Sequence, residues 1–152
     1  MKVLLDTSVL VAGLISRHEH ESRAAVWLDA ARQGRVRGAA TTHALAETWA
    51  TLTALPVEPR VAPALAERMV DRLAEHLEVL ELSQEDYRGA IRRCGDHGLR
   101  SGAVYDALHL VGGERWGADV VLTFNLPDFQ RLAVEQGPRL AVPPDPPAID
   151  SV

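Results

Sequence analysis

Val3-Leu4-Leu5-Asp6-Thr7-Ser8 is a short apolar run closed by three capping-type residues, the pattern of a buried strand that turns into a helix. Ser8-Val9-Leu10-Val11-Ala12 then continues apolar to Gly13. Beyond a polar stretch at His18 to Ser22, Ala24, Trp27, Leu28 and Ala31 recur at helical spacing from Arg23 onward, and Gly34 marks a stop. Val36 to Ala40 reads as a second strand. Thr41-Thr42 supplies an N-cap for a helix carrying Glu47, whose apolar stripe is Leu45, Trp49 and Leu52.

Pro56 and Pro59 punctuate a loop, and Ala66, Met69, Val70, Leu73 and Leu77 then define another helical face. Leu77 to Leu82 reads as a short strand or as the tail of that helix. Ser83 with Asp86 forms a capping-box pattern, opening a helix that ends near Gly95 or Gly98. Gly102 precedes a helix from about Val104 to Gly112, followed by a strand at Asp119-Val120-Val121-Leu122-Thr123. Asp128 starts a last helix that Gly137-Pro138 terminates, and Leu140-Ala141-Val142 reads as an edge strand.

Strands alternating with helices predict an α/β fold: one three-layer α/β/α domain over residues 1–142 with a central, mainly parallel sheet. The tail over 143–152 is rich in proline, so it is expected to be extended or disordered. In such sheets ligands bind beyond the carboxyl ends of the strands. Asp6 and Asn125 both fall just after predicted strands, at that edge.

With 152 residues, 47% hydrophobic and 24% charged, the chain can bury one core, and global disorder is excluded. The net charge of −5 lacks the basic footprint usual for nucleic-acid binding, although bound divalent ions would reverse the sign locally. A single cysteine, Cys94, rules out an internal disulfide and a cysteine-based zinc site. Asp6 interrupts the apolar start before a signal-peptide core can form, and no apolar run approaches membrane-spanning length. A cytoplasmic protein with no membrane partner is expected.

Three acidic residues sit where elements turn over: Asp6 after the first strand, Glu47 in the first turns of a helix, and Asp106 at the opening of another. Carboxylates gathered in one crevice repel unless a cation lies between them. Hard oxygen ligands with little nitrogen or sulfur nearby point to Mg2+ or Mn2+, the arrangement of a phosphodiester-cleaving site.

Four pieces together carry a family resemblance: Leu4-Leu5-Asp6-Thr7-Ser8, Glu47 within Thr41 to Ala50, Tyr105-Asp106-Ala107-Leu108-His109, and Thr123-Phe124-Asn125-Leu126-Pro127-Asp128-Phe129. In their order and separation the chain resembles the PIN-domain ribonucleases, and within them the VapC-type toxins of toxin–antitoxin pairs, from Val3 to about Val142. The resemblance implies a metal-dependent endoribonuclease in which Asp6, Glu47 and Asp106 hold Mg2+ or Mn2+. Asn125 matches the fourth site of the family, where many members carry Asp, and Asp128 follows close behind. Thr7, Ser8 and Thr123 would steady the carboxylates or a water. The implied partners are an RNA substrate, a cognate antitoxin protein and a second copy of the chain.

Each residue also has a structural reading. Asp6 and Asp106 are good N-caps, Glu47 projects opposite its helix's apolar stripe as a solvated residue would, and Asn125 and Asp128 are ordinary turn residues. His18-Glu19-His20-Glu21 looks like a metal cluster but reads as a solvated loop, and His109 reads as a core histidine rather than a general acid. Arginines dominate the positive charge, with Lys2 the only lysine. Arg92, Arg93 and Arg100 precede the Asp106 segment and are expected to face RNA, whereas Arg68 and Arg72 are expected to pair with neighbouring acids. Two rival functions remain: an acidic-site phosphatase, which would want a lysine near the phosphate, and a non-catalytic PIN-like RNA- or protein-binding scaffold.

Overall fold

The apolar runs do become strands, and every strand pair is parallel. The computed structural model describes residues 1–16 and 18–144, so most of the proline-rich tail expected over 143–152 lies outside the described residues. In chain order the elements are β1 (Lys2–Leu5), α1 (Thr7–Leu14), α2 (Glu21–Arg32), β2 (Arg37–Thr41), α3 (Thr42–Ala54), α4 (Pro63–His76), β3 (Glu78–Leu80), α5 (Gln84–Asp96), α6 (Ala103–Trp116), β4 (Val120–Leu122), α7 (Leu126–Gln130) and β5 (Arg139–Ala141). The sheet order is β3-β2-β1-β4-β5.

Side chains alternate across the pleat and so divide the interior in two. Val3, Leu5, Ala40, Val120 and Leu122 join Leu10, Trp27, Ala44 and Leu73 on the side of α1 to α4. Leu4, Ala39, Leu80 and Val121 join Ala90, Leu108, Leu110 and Phe129 on the side of α5 to α7. The three expected layers are present.

The chain leaves β1 toward β2 and β3, then returns across the sheet to place β4 on the other flank of β1. That reversal makes the carboxyl ends of β1 and β4 a topological switch point, where a crevice opens between diverging connections.

Several local expectations hold. Thr41 caps α3, its hydroxyl oxygen accepting from the Ala44 N–H at 3.2 Å. Ser83 and Asp86 make both reciprocal bonds of a capping box at the start of α5. Others need correction. The helix expected to end at Gly112 continues to Trp116, because Gly112 and Gly113 serve as packing surface. A Cβ on Gly112 would stand 2.8 Å from Thr41 Cγ2, and one on Gly113 3.0 Å from Leu4 Cδ2. Trp49 is not part of the buried stripe of α3; it is 41% exposed, and Ala44, Thr48 and Leu52 face inward instead. The last helix begins before Asp128, at Leu126, and stops by Gln130, where the chain tightens so that Phe129 and Leu132 are both buried.

Candidate active site

Asp6 is the last residue before α1 and is nearly fully buried. Its two oxygens have separate surroundings. Oδ2 accepts from Ser8 Oγ at 2.6 Å, Thr123 Oγ1 at 2.8 Å and the Ser8 N–H at 3.3 Å. Oδ1 lies 3.5 Å from His109 Nε2. The hydroxyl cradle thus ties down one oxygen and fixes the direction of the other. Ser8 Oγ in turn accepts from the Phe124 N–H at 3.0 Å, and Thr123 Oγ1 from the Asn125 N–H at 2.9 Å. These bonds stitch the loop after β4 to the start of α1.

Glu47 projects from α3 into the same crevice, with its side chain 31% exposed. Thr7 Oγ1 donates to Glu47 Oε2 at 2.7 Å, and His109 Nε2 lies 3.2 Å from that oxygen. Burial would push the Glu47 carboxyl up, but the bonds from His109 and Thr7 hold it below the ordinary range for glutamate. Of the two open readings of Glu47, the structure supports the one that faces the crevice.

Asp106 lies in the first turn of α6 and lines the crevice beside Asp6 and Glu47. Burial, then the Asp6 charge, with Asp128 and Glu47 adding to it, push its carboxyl up to about 7; His109 opposes them without cancelling them. A carboxyl raised that far reflects burial first and the neighbouring negative charge second.

His109 is the residue whose role the sequence left unread. It is a core histidine, with a side chain 1% exposed, yet it reaches the site from beneath. Nδ1 is 3.0 Å from Thr41 Oγ1 and Nε2 faces Glu47 and Asp6. Burial alone would lower its pKa; the bond to Glu47 and the charges of Asp6, Glu47 and Asp106 outweigh burial and raise it. An imidazolium donates at both nitrogens, which suits an oxygen on either side. A histidine directly after a buried leucine carries no sequence signal that distinguishes this from plain packing.

Asn125 reaches the crevice, and its Nδ2 donates to Asp128 Oδ2 at 2.8 Å. Asp128 also faces Arg131 at 3.4 Å. Of the arginines expected to meet RNA, Arg100 does line a cavity that borders Glu47, Asp106 and Asn125. Arg93 is corrected: it makes a bidentate pair with Glu114 at 2.8 and 2.6 Å, and that partner raises its pKa. Arg92 is exposed on α5 and is not among the described residues that line the crevice. The histidines at 18 and 20 do not form a metal cluster, but they line the crevice mouth, where His20 stacks on Phe124 at 4.2 Å.

Lys2 lies at the opposite, amino-terminal edge of the sheet, its Nζ donating to the Trp116 carbonyl at 2.7 Å. A phosphatase reading that needs a lysine beside the phosphate finds none at the crevice.

The donor set fits a hard divalent cation. Carboxylate oxygens dominate it, and the negative charge that adds to burial in lifting Asp106 would be offset by a cation. Among the described residues no group of three acidic, histidine or cysteine side chains is placed to hold a metal ion. Mg2+ does not require one, since it keeps several waters and takes one or two carboxylates.

Residues 3–135 match the PIN domain family. The chain is 36% identical over 135 residues to Ribonuclease VapC40 of Mycobacterium tuberculosis, covering 86% of this chain and 93% of that protein. It is also 36% identical over 105 residues to Ribonuclease VapC27 of the same organism, covering 68% and 71%. The fold superposes with a TM-score of 0.67, at 19% identity, on the crystal structure of M. tuberculosis VapC20, described as a sarcin-ricin loop cleaving toxin; 90% of this chain and 99% of that one are covered. A second superposition, also with a TM-score of 0.67, is with VapBC2 of Rickettsia felis bound to a promoter DNA fragment, at 18% identity over 93% and 98%.

Proposed function

The chain belongs to the PIN domain family, and from that premise we propose that it is a Mg2+- or Mn2+-dependent endoribonuclease, the toxin of a toxin–antitoxin pair. The observation that carries the proposal is the meeting of Asp6, Glu47 and Asp106 in one crevice at the switch point, where burial and then the Asp6 charge lift Asp106 to about 7. Similarity to two curated ribonucleases over most of the chain supports the same reading.

Asp6, Glu47 and Asp106 are the residues that would hold the cation. When bound, it would supply a polarised phosphoryl oxygen and a water of lowered pKa, the usual contributions to phosphodiester hydrolysis. The protein's own part is positional. Ser8 and Thr123 lock one oxygen of Asp6, and Thr7 and His109 lock one oxygen of Glu47, so each carboxylate presents its other oxygen in a fixed direction. The Asp106 carboxyl can hold a proton near neutrality and yield it when positive charge arrives. Asn125 offers a neutral amide at the fourth position, braced by Asp128.

An antitoxin protein is the proposed partner, since structural neighbours include toxin–antitoxin complexes. It could inhibit by placing a basic side chain among the carboxylates, where it would stand in for the metal; a complex with undiminished cleavage would contradict this. A second copy of the chain and a cytoplasmic setting belong to the same proposal. No helix among the described residues is long and apolar enough to cross a membrane.

The test is cleavage of a structured RNA pool by antitoxin-free protein in Mg2+, Mn2+ or EDTA, beside an Asp6→Asn/Asp106→Asn variant. Metal-dependent cutting that falls to the EDTA level in the variant is expected. Equal cutting by the variant, or in EDTA, would overturn the reading. Metal-independent RNA binding without turnover would establish the non-catalytic scaffold instead.

A further inference from the structure

Beside the acidic crevice lies a second cavity of about 400 Å3, lined in part by Arg100, Tyr105, Asp128 and Arg131. It shares Glu47, Asp106 and Asn125 with the first, so the two meet at the carboxylates. Its composition differs from the acidic floor. Arg100 and Arg131 are both exposed there, and Tyr105 is 46% exposed.

The Tyr105 ring is not a loose surface side chain. His43 stacks against it with centroids 4.8 Å apart and planes 25° apart. His43 is itself held at the top of α3, its Nε2 buried without a hydrogen-bond partner and 3.9 Å from Glu47 Oε2. The pair is therefore a braced aromatic platform with exposed surface. Tyr105 and Asp106 are consecutive in α6, so their Cα atoms are about 3.8 Å apart. Both side chains line the same cavity, so a group stacked on the ring would lie beside the Asp106 carboxyl.

We propose that this cavity is a nucleotide subsite in which an unpaired base stacks on Tyr105, backed by His43, while Arg100 and Arg131 meet the phosphates that flank the scissile one. The proposal rests on the ribonuclease reading and extends it to a specificity-determining residue. Base–aromatic stacking tolerates any base, and arginine forks suit phosphate oxygens. A paired base keeps its faces inside a helical stack, so the platform selects single-stranded or looped RNA at the cut. Arg131 is held near Asp128 at 3.4 Å, an exposed pair weak enough for phosphate to displace.

The experiment measures binding of a short random-sequence single-stranded RNA and of a self-complementary RNA duplex, in Ca2+ so that the acids are neutralised. Cleavage in Mg2+ runs in parallel. Tyr105→Ala is expected to weaken single-strand binding about tenfold. Tyr105→Phe should restore it, and duplex binding should not follow the ring. Arg100→Gln should lower the slope of log affinity against log salt by about 1. Unchanged single-strand affinity in Tyr105→Ala, or equal losses on both RNAs, overturns the subsite. If wild type cuts RNA while Tyr105→Ala is unaffected, only the subsite falls; if wild type neither binds nor cuts, the ribonuclease reading falls with it.

Discussion

Asp106 shows how a carboxylate proposed to hold a cation can work against stability. Its carboxyl is raised from 3.8 to about 7 by burial and by Asp6, so between those values the folded state binds more protons than the unfolded one. Stability of the metal-free protein must therefore fall as pH rises through that window and stay lower above it. Each tenfold in proton affinity is about 1.4 kcal/mol, of which solvent at the crevice mouth screens a large share, leaving about 1–2 kcal/mol. Asp106→Asn removes the ionisation. In thermal melts with EDTA it should flatten the pH dependence between about pH 5 and about pH 8 and melt several degrees higher at the alkaline end. A variant with the wild-type pH slope would show that Asp106 is not the crowded group. Asp6 and Asp106 were legible in the sequence because each opens a helix after a strand or loop. Glu47 was picked out with them, but its direction was not legible, because its place on α3 is equally that of a solvated residue, and Thr7 and His109 are what reveal it.

At the scale of elements, α6 carries both the site and the feature most easily misread. Glycine near a helix end usually signals a stop, and Gly112 was read that way. In the fold, Gly112 lets α6 approach Thr41, the residue that caps α3 and contacts His109 Nδ1. Adding a methyl group 2.8 Å from Thr41 Cγ2 forces a shift. Gly112→Ala should cost about 1–3 kcal/mol despite its gain in helix propensity, because overpacking outweighs that smaller term. Chemical denaturation checks the figure, and an alanine variant as stable as wild type would show that the contact is slack. Trp49 departs from its expected place for a related reason. Period alone placed it in the stripe, but α3 faces inward through small and branched residues, Ala44, Thr48 and Leu52, because α1 and β2 lie close against it.

Across the whole molecule, topology explains why residues 6, 47, 106 and 125 meet. All strands run parallel, so every strand-to-helix turn lies on one edge, and the reversal from β3 to β4 opens a crevice between β1 and β4. The alternating elements made the three layers and the parallel sheet readable from sequence, since period 2 and period 3.6 patterns are local. The order of strands and the burial of His109 beneath two carboxylates depend on long-range packing that no local pattern encodes. The acidic net charge of −5 also becomes intelligible on the proposed function, since part of it sits in the crevice proposed to hold a cation. The most direct test of that claim is a calorimetric titration of metal-free protein with Mn2+, wild type beside Asp6→Asn/Asp106→Asn. Saturable binding with proton release near neutral pH, abolished in the variant, is the predicted result. Equal Mn2+ affinity in the two proteins would contradict the account.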